Sequence, residues 1–561
     1  MSGVHSEVPV LIIGGGPVGF CLALELAFHG QRSMVVEQDA GTGLELLAKA
    51  GTLNERTMEF CRRWGIVNEV ANAGFPEDYP RDTFYCTSLN GHLIGSSPMP
   101  ATKDRKPPPS GPEMLRKCGQ HIFDPLVARA AAATGKCEIR YSMRFESYSQ
   151  DADGVNVELS NVSTGKRFTI RAQYLVGCDG STSAVREQMG VALPGRQLDY
   201  SVSAMIRVQN IEHYHPLGKG ERYMFIDKAG TWANMTTVNG VDLWRFTLLG
   251  SEDKLDLARL DMRKEINRAL GRDDIPYEVM RVVPWRRAQT HAVRYRDGRV
   301  LLAGDACHTT SPTGGHGLNT GIGDVASVGW MLDAVMSGWG GRHLLDAYEI
   351  ERRPVAIRNL GNSTENYEVW LDHTGYERVF DEGPDGNSSR RAIGARLAAA
   401  LKQEWHSLGI GMAYNYYCSP IVYPDGSKAP PDEPSTYIQT SRPGHRAPHA
   451  WLPDGHSTLD LFGHGFTLLI LGSNPPDTAA FEQAALRIGF PLTAHALPQP
   501  DIAALYVRKM VLVRPDGMVA WRGDSLPADV DELLDIVRGS PAGANRQRGH
   551  MQDTPALRKT A

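Results

Sequence analysis

The N-terminal residues show an apolar and polar pattern of strand, helix and strand. Residues 8–13 form a continuous apolar run, which is typical of a strand buried at the centre of a parallel sheet. Residues 17–29 carry small side chains first and leucines afterwards, which predicts a helix. Residues 33–37 predict a second strand. The segment is therefore predicted to form one βαβ unit of about 30 residues.

The rest of the chain alternates between helical and β-rich stretches. Residues 299–303 predict another buried strand, with a helix behind it. Residues 200–249 are rich in β-branched and aromatic positions, which predicts a second sheet. Residues 424–448 are dense in proline and polar groups, which predicts a linker, and strands are predicted beyond it at 466–471 and 510–513. A chain of 561 residues in this order is expected to be an α/β protein of two or three domains.

Composition and charge limit the partners that we expect. Hydrophobic residues make up 42% and charged residues 22%, which is ordinary for a globular protein. The net charge of -5 leaves no basic excess for phosphates, so nucleic acid is not expected as a partner. No apolar run approaches the roughly 20 residues that span a bilayer, so a membrane is not expected either. The 8 cysteines contain no CxxC pair, which predicts a cytoplasmic protein with reduced thiols and no zinc site.

A glycine-rich turn joins the first strand to the first helix. Gly14, Gly16 and Gly19 satisfy the pattern GxGxxG. Pro17 begins the helix, and Glu37 ends the second strand about 20 residues later. Gly14 permits the tight turn, Gly16 lets the backbone approach a pyrophosphate at the helix N-terminus, and Gly19 allows close packing of helix and strand. With Glu37 accepting hydrogen bonds from an adenosine ribose, the segment predicts a dinucleotide site and leaves NAD and FAD open.

Later motifs decide between these dinucleotides. Residues 179–186 read DGSTSAVR, residues 298–308 read GRVLLAGDACH, residues 312–321 read PTGGHGLNTG and residues 344–354 read LLDAYEIERRP. In this order they resemble the DGxxSxVR, GRVxLAGDAAH, PPxGGxGxN and LLDxYExERxP motifs of class A (single-component) flavoprotein aromatic hydroxylases of the p-hydroxybenzoate hydroxylase fold. The resemblance covers about the first 360 residues.

The resemblance implies that FAD is the cofactor and assigns contacts to it. Asp305 would hydrogen-bond the ribityl chain, and Asp179 and Arg186 would lie near the pyrophosphate or along the path of the nicotinamide. The segment 312–319 would lie beside the flavin ring, where a helix dipole and backbone N–H groups stabilise negative charge on the reduced flavin. Within that segment we expect contacts from Pro312, Gly315, Gly317, Leu318 and Asn319.

Two further positions match the family less closely. Lys49 stands where the family has an arginine near the FAD phosphate and ribose; lysine keeps the charge but loses the planar fork of donors. Gln120 begins a predicted helix and matches a family glutamine near FAD. His316, Leu318 and Met331 replace the usual family residues. We expect these changes to alter the surroundings of the flavin without removing a contact.

Residues 442–451 read RPGHRAPHAW, residues 457–463 read STLDLFG and residues 513–517 read VRPDG. With these segments, the C-terminal part of the chain is similar to the thioredoxin-like domain of phenol, chlorophenol and polyketide hydroxylases. Because it has no CxxC pair, it cannot carry out dithiol chemistry, and a structural role or contacts within a homodimer are expected. The fold class is therefore α/β, with a Rossmann-like FAD-binding domain, a β-sheet substrate domain and a thioredoxin-like domain. The expected boundaries are 1–75, 112–190 and 290–365 for FAD binding, 76–111 and 191–289 for substrate binding, 366–423 for a helical connection, 424–540 for the thioredoxin-like domain and 541–561 for a disordered tail.

The resemblance also implies a reaction. Such enzymes consume NADPH or NADH, which binds transiently, and the reduced flavin takes up O₂ as a C4a-hydroperoxide that hydroxylates a small, electron-rich aromatic substrate. A base that deprotonates the substrate is expected in the β-rich region, where the candidates are His213, His215, Tyr223 and Arg245. His213 and His215 alternate and would share one face of a strand. No third ligand accompanies them, so no metal is expected.

Four functions remain open from the sequence. The leading one is hydroxylation of a substituted phenol bearing chloro, nitro or alkyl groups, and the second is tailoring of a larger, polyketide-type aromatic. A flavin protein that does not hydroxylate, and a dehydrogenase or oxidase that does not need NAD(P)H, are the others. The motifs around Asp179 and Asp305 favour the first two.

Overall fold

The computed structural model describes residues 6–42 and 51–540. Within these ranges the chain has 22 strands and 14 α-helices. The strands are β1 (Ser6–Ile13), β2 (Ser33–Val36), β3 (Thr52–Leu53), β4 (Thr83–Cys86), β5 (Leu93–Ser97), β6 (Arg116–Lys117), β7 (Cys137–Arg140), β8 (Met143–Gln150), β9 (Val155–Asn161), β10 (Arg167–Gly177), β11 (Gly195–Arg207), β12 (Arg222–Asp227), β13 (Gly230–Thr237), β14 (Leu243–Ser251), β15 (Glu278–His291), β16 (Arg296–Asp297), β17 (Val300–Leu302), β18 (His308–Thr309), β19 (Phe466–Leu471), β20 (Leu492–Leu497), β21 (Met510–Val513) and β22 (Val519–Gly523). The helices are α1 (Pro17–Phe28), α2 (Glu55–Arg63), α3 (Val67–Ala71), α4 (Gln120–Ala133), α5 (Ala184–Gln188), α6 (Met262–Leu270), α7 (His316–Met336), α8 (Leu344–Leu371), α9 (Gly383–Ala400), α10 (Lys402–Trp405), α11 (Leu408–Met412), α12 (Ala479–Arg487), α13 (Pro500–Tyr506) and α14 (Val530–Val537).

The first sheet contains the predicted βαβ unit. Its strand order is β16-β17-β10-β1-β2-β7, with β9 and β8 added beside β10. Strand β1 runs parallel to both β2 and β10. Val10, Leu11 and Ile12 are fully buried there, as a continuous apolar run requires when both faces of a sheet are covered. The Rossmann-like prediction is therefore confirmed.

The second sheet, which we call the substrate sheet, has the order β18-β15-β11-β14-β13-β12-β4-β5. Its side chains alternate between two faces. One face buries Tyr223, Phe225 and Trp244 in a cluster with Ile266 of α6. The opposite face carries Met224 and other residues that pack with α8 and α9. The sheet thus has one face packed against α6 and an opposite face packed against α8 and α9.

The C-terminal sheet has the order β20-β19-β21-β22. Strand β19 is parallel to β20 and antiparallel to β21, and helices α12, α13 and α14 accompany the sheet. This is the arrangement of a thioredoxin-like domain, as predicted. Phe466 and Phe490 pack against Trp339, and Trp339 stacks on Trp330 of α7 with ring centroids 6.2 Å apart. The C-terminal domain therefore shares one hydrophobic core with the first domain.

Some sequence predictions need correction. His213 and His215 do not lie on a strand, because Asn210 adopts a left-handed φ of 48° and the chain continues into a short 3-10 turn at Ile211–His213. Helix α8 continues through residue 366 to Leu371, and the domain boundaries expected from the sequence stay predictions. Lys49 and the tail at 541–561 lie outside the described residues.

Among residues 6–42 and 51–540, no helix is both long and apolar enough to cross a bilayer. In the same part of the chain, no group of three or more His, Cys, Asp or Glu side chains is arranged to hold a metal ion.

Candidate functional site

The three glycines of the first turn have different surroundings. Gly14 has a φ of 106°, and a Cβ there would lie 2.4 Å from the Cys178 carbonyl oxygen. A Cβ on Gly19 would lie 2.0 Å from the Gly14 carbonyl oxygen. A Cβ on Gly16 meets no atom within 4 Å, and Gly16 is the N-cap of α1 without any side-chain cap. Gly14 and Gly19 are thus required by the fold, whereas Gly16 borders open space at a helix N-terminus, which fits a pyrophosphate.

We expect Gly16→Ala to weaken FAD binding without disturbing the fold. The φ of −83° at Gly16 suits alanine, and the new methyl group enters only the space assigned to the pyrophosphate. Because hydrogen bonds to a charged group contribute about 1.5–3 kcal/mol each, the dissociation constant of FAD is expected to rise at least about tenfold. Flavin fluorescence titration measures this constant, and thermal unfolding of the apoprotein checks the fold.

The control for this substitution is Gly361→Ala. Gly361 lies within α8, and its Cβ also meets no atom within 4 Å. This variant is expected to bind FAD like the wild type and to gain up to about 1 kcal/mol of stability from helix propensity. Unchanged FAD affinity in Gly16→Ala would contradict the placement of the pyrophosphate.

Glu37 lies beside the same turn, at the end of β2. Its Oε2 accepts a hydrogen bond from the Gly15 N–H at 2.7 Å, and its Oε1 accepts one from the Asp39 N–H at 2.9 Å. Each carboxylate oxygen has a second lone pair, so these contacts orient Glu37 and leave it able to accept from a ribose hydroxyl. The contact of Glu37 with the adenosine ribose stays a prediction.

The motif at 298–308 forms β17 and a 3-10 turn. Asp324 of α7 contacts this segment. Asp324 of α7 is fully buried, and its Oδ2 lies 2.7 Å from His308 Nε2 and accepts from the Gly304 N–H at 3.1 Å. Its Oδ1 accepts from Arg352 Nε of α8 at 2.8 Å. Burial alone would raise the pKa of Asp324, but His308 and Arg352 together lower it, so the carboxylate is ionised. Asp305 projects from this turn as an exposed side chain.

The N-terminus of α7 follows a glycine turn. Gly315 is the N-cap with a φ of 68°, and no side chain caps the helix. Asn319 accepts from the Asn54 N–H at 2.9 Å and from Thr57 Oγ1 at 2.7 Å, and donates to Thr52 O at 3.0 Å. The side chain of Asn319 therefore fixes the segment 52–57 against α7, and the first N–H groups of the helix remain for a ligand.

His316 is buried in the first turn of α7. Its Nε2 lies 2.9 Å from Asn362 Oδ1 of α8. Burial lowers the pKa of His316 to about 4, so its imidazole is neutral at physiological pH. Pro312 is exposed and Gly317 and Leu318 are half-buried, so the three lie along the rim of this loop.

Asp179 and Arg186 fix α5 to the rest of the first domain. Asp179 accepts from Ser183 Oγ at 2.5 Å and from the Val185 N–H at 3.2 Å. Arg186 is buried and donates to Ala306 O at 3.1 Å, which ties this motif to the turn that carries Asp305. A cavity of about 410 Å³ between α5 and the substrate sheet is lined by Arg186 and its neighbours.

Gln120 is the remaining FAD residue expected from the sequence. It begins α4, after an N-cap at Gly119, and its Nε2 donates to Asp124 Oδ2 at 3.0 Å.

The four candidate bases do not come together. Tyr223 is fully buried on the α6 side of the substrate sheet, where its hydroxyl donates to Gly218 O at 2.6 Å. His215 contacts the edge of that ring at 5.3 Å, and burial lowers its pKa to about 4. His213 is exposed, while Arg245 is half-buried and lies on the opposite face, toward α8. Deprotonation of a substrate by one of them stays a prediction.

Two buried acids that sequence reasoning missed join this opposite face to the loop before α7. Asp199 accepts from Arg287 Nε at 3.2 Å and from the Tyr367 hydroxyl, and Arg287 also donates to Ser311 Oγ at 2.8 Å. Glu404 of α10 accepts from Arg222 Nη1 at 3.0 Å and from Trp370 Nε1 at 2.9 Å.

Burial raises the pKa of Glu404, against opposing effects of Arg222, Trp370 and the Gly314 N–H. Asp199 and Glu404 belong to no sequence motif. They are recognised only in the structure, where each buried acid contacts an arginine that is distant in sequence.

Comparisons with known proteins agree with this geometry. A family model described as "FAD binding domain" matches residues 7–363, and one described as "Aromatic-ring hydroxylase, C-terminal" matches residues 440–541. The tetracenomycin B2 monooxygenase-dioxygenase of Streptomyces olivaceus is 31% identical over 95% of this chain and 98% of that protein. Phenol 2-monooxygenase of Pseudomonas sp. (strain EST1001) is 30% identical over 95% of this chain and 93% of that protein. The structure of the rebeccamycin biosynthetic enzyme RebC with reduced flavin is 36% identical, with a TM-score of 0.89 over 96% of this chain and 100% of that chain.

These matches confirm the predicted resemblance, the FAD cofactor and the monooxygenase class. The first family model spans β1 through most of α8, including the GxGxxG turn, the Asp305 turn and the N-terminus of α7. The second spans the thioredoxin-like domain. The chain belongs to the FAD-dependent aromatic-ring hydroxylases and is a flavoprotein monooxygenase.

Proposed function

We propose that this monooxygenase acts on a polycyclic aromatic compound, as a tailoring enzyme does, with NADPH or NADH as reductant and O₂ as co-substrate. The observation that carries the proposal is the 36% identity to RebC over 96% of the chain, compared with 30% to phenol 2-monooxygenase. RebC is described with bound 7-carboxy-K252c, and aklavinone-11 hydroxylase, 27% identical, with aklavinone. Both ligands belong to those proteins, and they motivate the substrate class proposed here.

The residues of this chain have identifiable tasks in such a reaction. FAD, when bound, supplies the redox and oxygen chemistry. Helix α7 has no side-chain cap, so its first N–H groups would be available to stabilise negative charge on a cofactor bound there. The contact of Arg287 with Ser311 holds the substrate sheet against the loop before α7. The hydrogen bond from Trp370 Nε1 to Glu404 joins α8 to α10. The cavity beside Arg186 is the approach that we propose for the nicotinamide.

The experiment compares aromatic classes with the FAD-loaded enzyme in air. NADPH and NADH oxidation is followed with anthrols, hydroxyanthraquinones and indolocarbazoles on one side and chloro-, nitro- and alkylphenols on the other. We expect a polycyclic compound to accelerate NAD(P)H oxidation at least about tenfold, which corresponds to a barrier lower by about 1.4 kcal/mol. Mass spectrometry under ¹⁸O₂ should then find one labelled oxygen in the product. Stimulation without a labelled product would contradict the proposal.

A substituted phenol is the second candidate. The observation in its favour is the match to phenol 2-monooxygenase and, at 28% identity, to the 2,4-dichlorophenol 6-monooxygenase of Delftia acidovorans. In the same assay, phenols that are hydroxylated while every polycyclic compound stays inert would replace the first proposal by this one.

A further inference from the structure

We propose that the C-terminal domain positions the protein segments around the expected FAD site, and that Arg446 and Glu59 are the positioning residues. The connection runs through α2, which contacts the C-terminal domain on one side and the N-terminus of α7 on the other. Such a task for the C-terminal domain is independent of the substrate class, because it concerns the cofactor side of the enzyme alone.

The start of α2 is hydrogen-bonded to the start of α7 through one side chain. Asn54 is the N-cap of α2, and its N–H donates to Asn319 Oδ1 at 2.9 Å. The Thr57 hydroxyl donates to the same Asn319 oxygen at 2.7 Å. Asn319 Nδ2 donates to the carbonyl oxygen of Gly315, the N-cap of α7, at 2.7 Å. The position of α2 therefore affects the position of the α7 N-terminus.

A buried ion pair joins the middle of α2 to the C-terminal domain. Arg446, in the segment 442–451, is 1% exposed, and its Nε donates to Glu59 Oε2 at 2.9 Å while its Nη2 donates to Glu59 Oε1. Glu59 Oε2 also accepts from Arg56 Nη1 at 2.9 Å. Burial alone would raise the pKa of Glu59, but Arg446 and Arg56 lower it, so the carboxylate is ionised. Two parallel hydrogen bonds between charged groups fix orientation as well as distance.

The turn between β21 and β22 supplies two further contacts to α2. Arg56 Nη2 donates to the carbonyl oxygen of Asp516 at 2.7 Å, and Arg63 Nη1 donates to that of Pro515 at 2.6 Å. Arg56 lies in the first turn of α2 and Arg63 is its last residue. The C-terminal domain therefore contacts α2 from its first turn to its last.

These contacts form a continuous path from the C-terminal domain to the N-terminus of α7. The nine-residue helix α2 is held by its own backbone hydrogen bonds, so it moves as a rigid rod about 14 Å long. A displacement at Glu59 would reach Asn54 and Thr57, and through Asn319 the first N–H groups of α7. If the ion pair served folding alone, its loss would lower stability and leave the properties of bound FAD unchanged.

The test compares Arg446→Met and Arg446→Lys with the wild type in two measurements. Hydrogen–deuterium exchange of the apoprotein follows the amides of residues 52–58, and a redox titration of the FAD-loaded protein gives the flavin midpoint potential. In Arg446→Met we expect exchange to be at least about tenfold faster, since losing a charge-assisted hydrogen bond shifts local opening by this much. We also expect reduced FAD to bind about tenfold less tightly relative to oxidised FAD, which makes the potential about 30 mV more negative. Arg446→Lys keeps the charge and should recover part of both effects.

Two further variants separate positioning from stability. Combining Arg446→Met with Glu59→Gln leaves no unpaired buried carboxylate, and the new amide oxygen can still accept from Arg56, so this double variant should fold while retaining both effects. Phe490→Leu is the control. Phe490 is 4% exposed and packs on Trp339, beyond the C-terminal end of α7 and about 30 Å along that helix from its N-terminus. It should lower the urea midpoint without changing the exchange at 52–58 or the potential.

The two measurements use no aromatic substrate, so their result is separate from the test of the proposed function. Faster exchange at 52–58 and a more negative potential in the double variant, both absent from Phe490→Leu, would support positioning by the C-terminal domain. Where a variant binds too little FAD for titration, the exchange of the apoprotein decides. Exchange and potential equal to the wild type in the double variant, or equal changes in Phe490→Leu, would overturn the proposal.

Discussion

Replacing Asp324 with alanine is expected to lower the free energy of unfolding by about 3–5 kcal/mol and to leave the protein largely without FAD. Asp324 is fully buried and accepts hydrogen bonds from Arg352 at 2.8 Å and from the Gly304 N–H at 3.1 Å, and it pairs with His308. Its removal leaves the guanidinium of Arg352, which is 1% exposed, without a counter-charge. A buried ion that loses its partner destabilises a protein far more than a lost surface pair.

The loss of FAD has a separate cause. Asp324 is the link between α7 and the turn that carries Asp305, because it holds both His308 and the Gly304 backbone. Without it, the turn and the N-terminus of α7 lose their common support. We therefore expect the stability loss and the cofactor loss to occur together in this variant, unlike in Gly16→Ala, where only FAD binding changes.

Urea unfolding and the absorbance ratio of flavin to protein measure these two effects. Asp346→Asn is the matched control, because Asp346 pairs with Arg296 at the surface, with 52% of its side chain exposed. Exposed pairs contribute about 0–1 kcal/mol, so the control should remain close to the wild type in both measurements. If Asp324→Ala behaves like this control, the supporting role of Asp324 is wrong.

The sequence predicts the cofactor side of this protein far better than the substrate side. Gly14 and Gly19 lie where a Cβ would collide with the backbone, and Gly16 borders the open space expected for the pyrophosphate, so a short motif is sufficient to locate all three. Tyr223 and Arg245 both lie in β-rich segments, and their faces depend on strand register. Irregularities such as the shift between Phe225 and Ile226 move later residues to the other face, and no local pattern specifies them.

Contacts between distant segments are beyond sequence reasoning for a related reason. Glu404 lies on a four-residue helix in a stretch that neither family model covers, and its partners Arg222 and Trp370 come from the substrate sheet and α8. In sequence it is one acid among many. The role of Glu404 follows from its burial. A carboxylate removed from water requires a hydrogen-bond or ionic partner, which here comes from distant segments of the chain.

The second large effect is expected at the boundary with the C-terminal domain. Glu351 of α8 is 2% exposed and accepts from Arg514 Nη1 at 2.5 Å, from Arg514 Nη2 at 2.8 Å and from Ser419 Oγ at 2.5 Å. Arg514 also contacts Asp516, so two carboxylates share one guanidinium. Burial raises the pKa of Glu351, and the positive charge of Arg514 opposes this increase. Arg514 therefore favours the ionised form of Glu351.

We expect Glu351→Ala to lower the free energy of unfolding by about 3 kcal/mol, at the low end for a broken buried pair because Asp516 still neutralises Arg514. A double-mutant cycle of Glu351→Gln with Arg514→Met, followed by urea unfolding, should give a coupling energy of about 2 kcal/mol. The control is the exposed pair of Arg487 and Asp531 in the same domain, for which the coupling should stay below about 1 kcal/mol. A coupling at Glu351 no larger than that of the surface pair would mean that the C-terminal domain is held by its shared apolar core, through Trp330, Trp339 and Phe466, rather than by this ion pair.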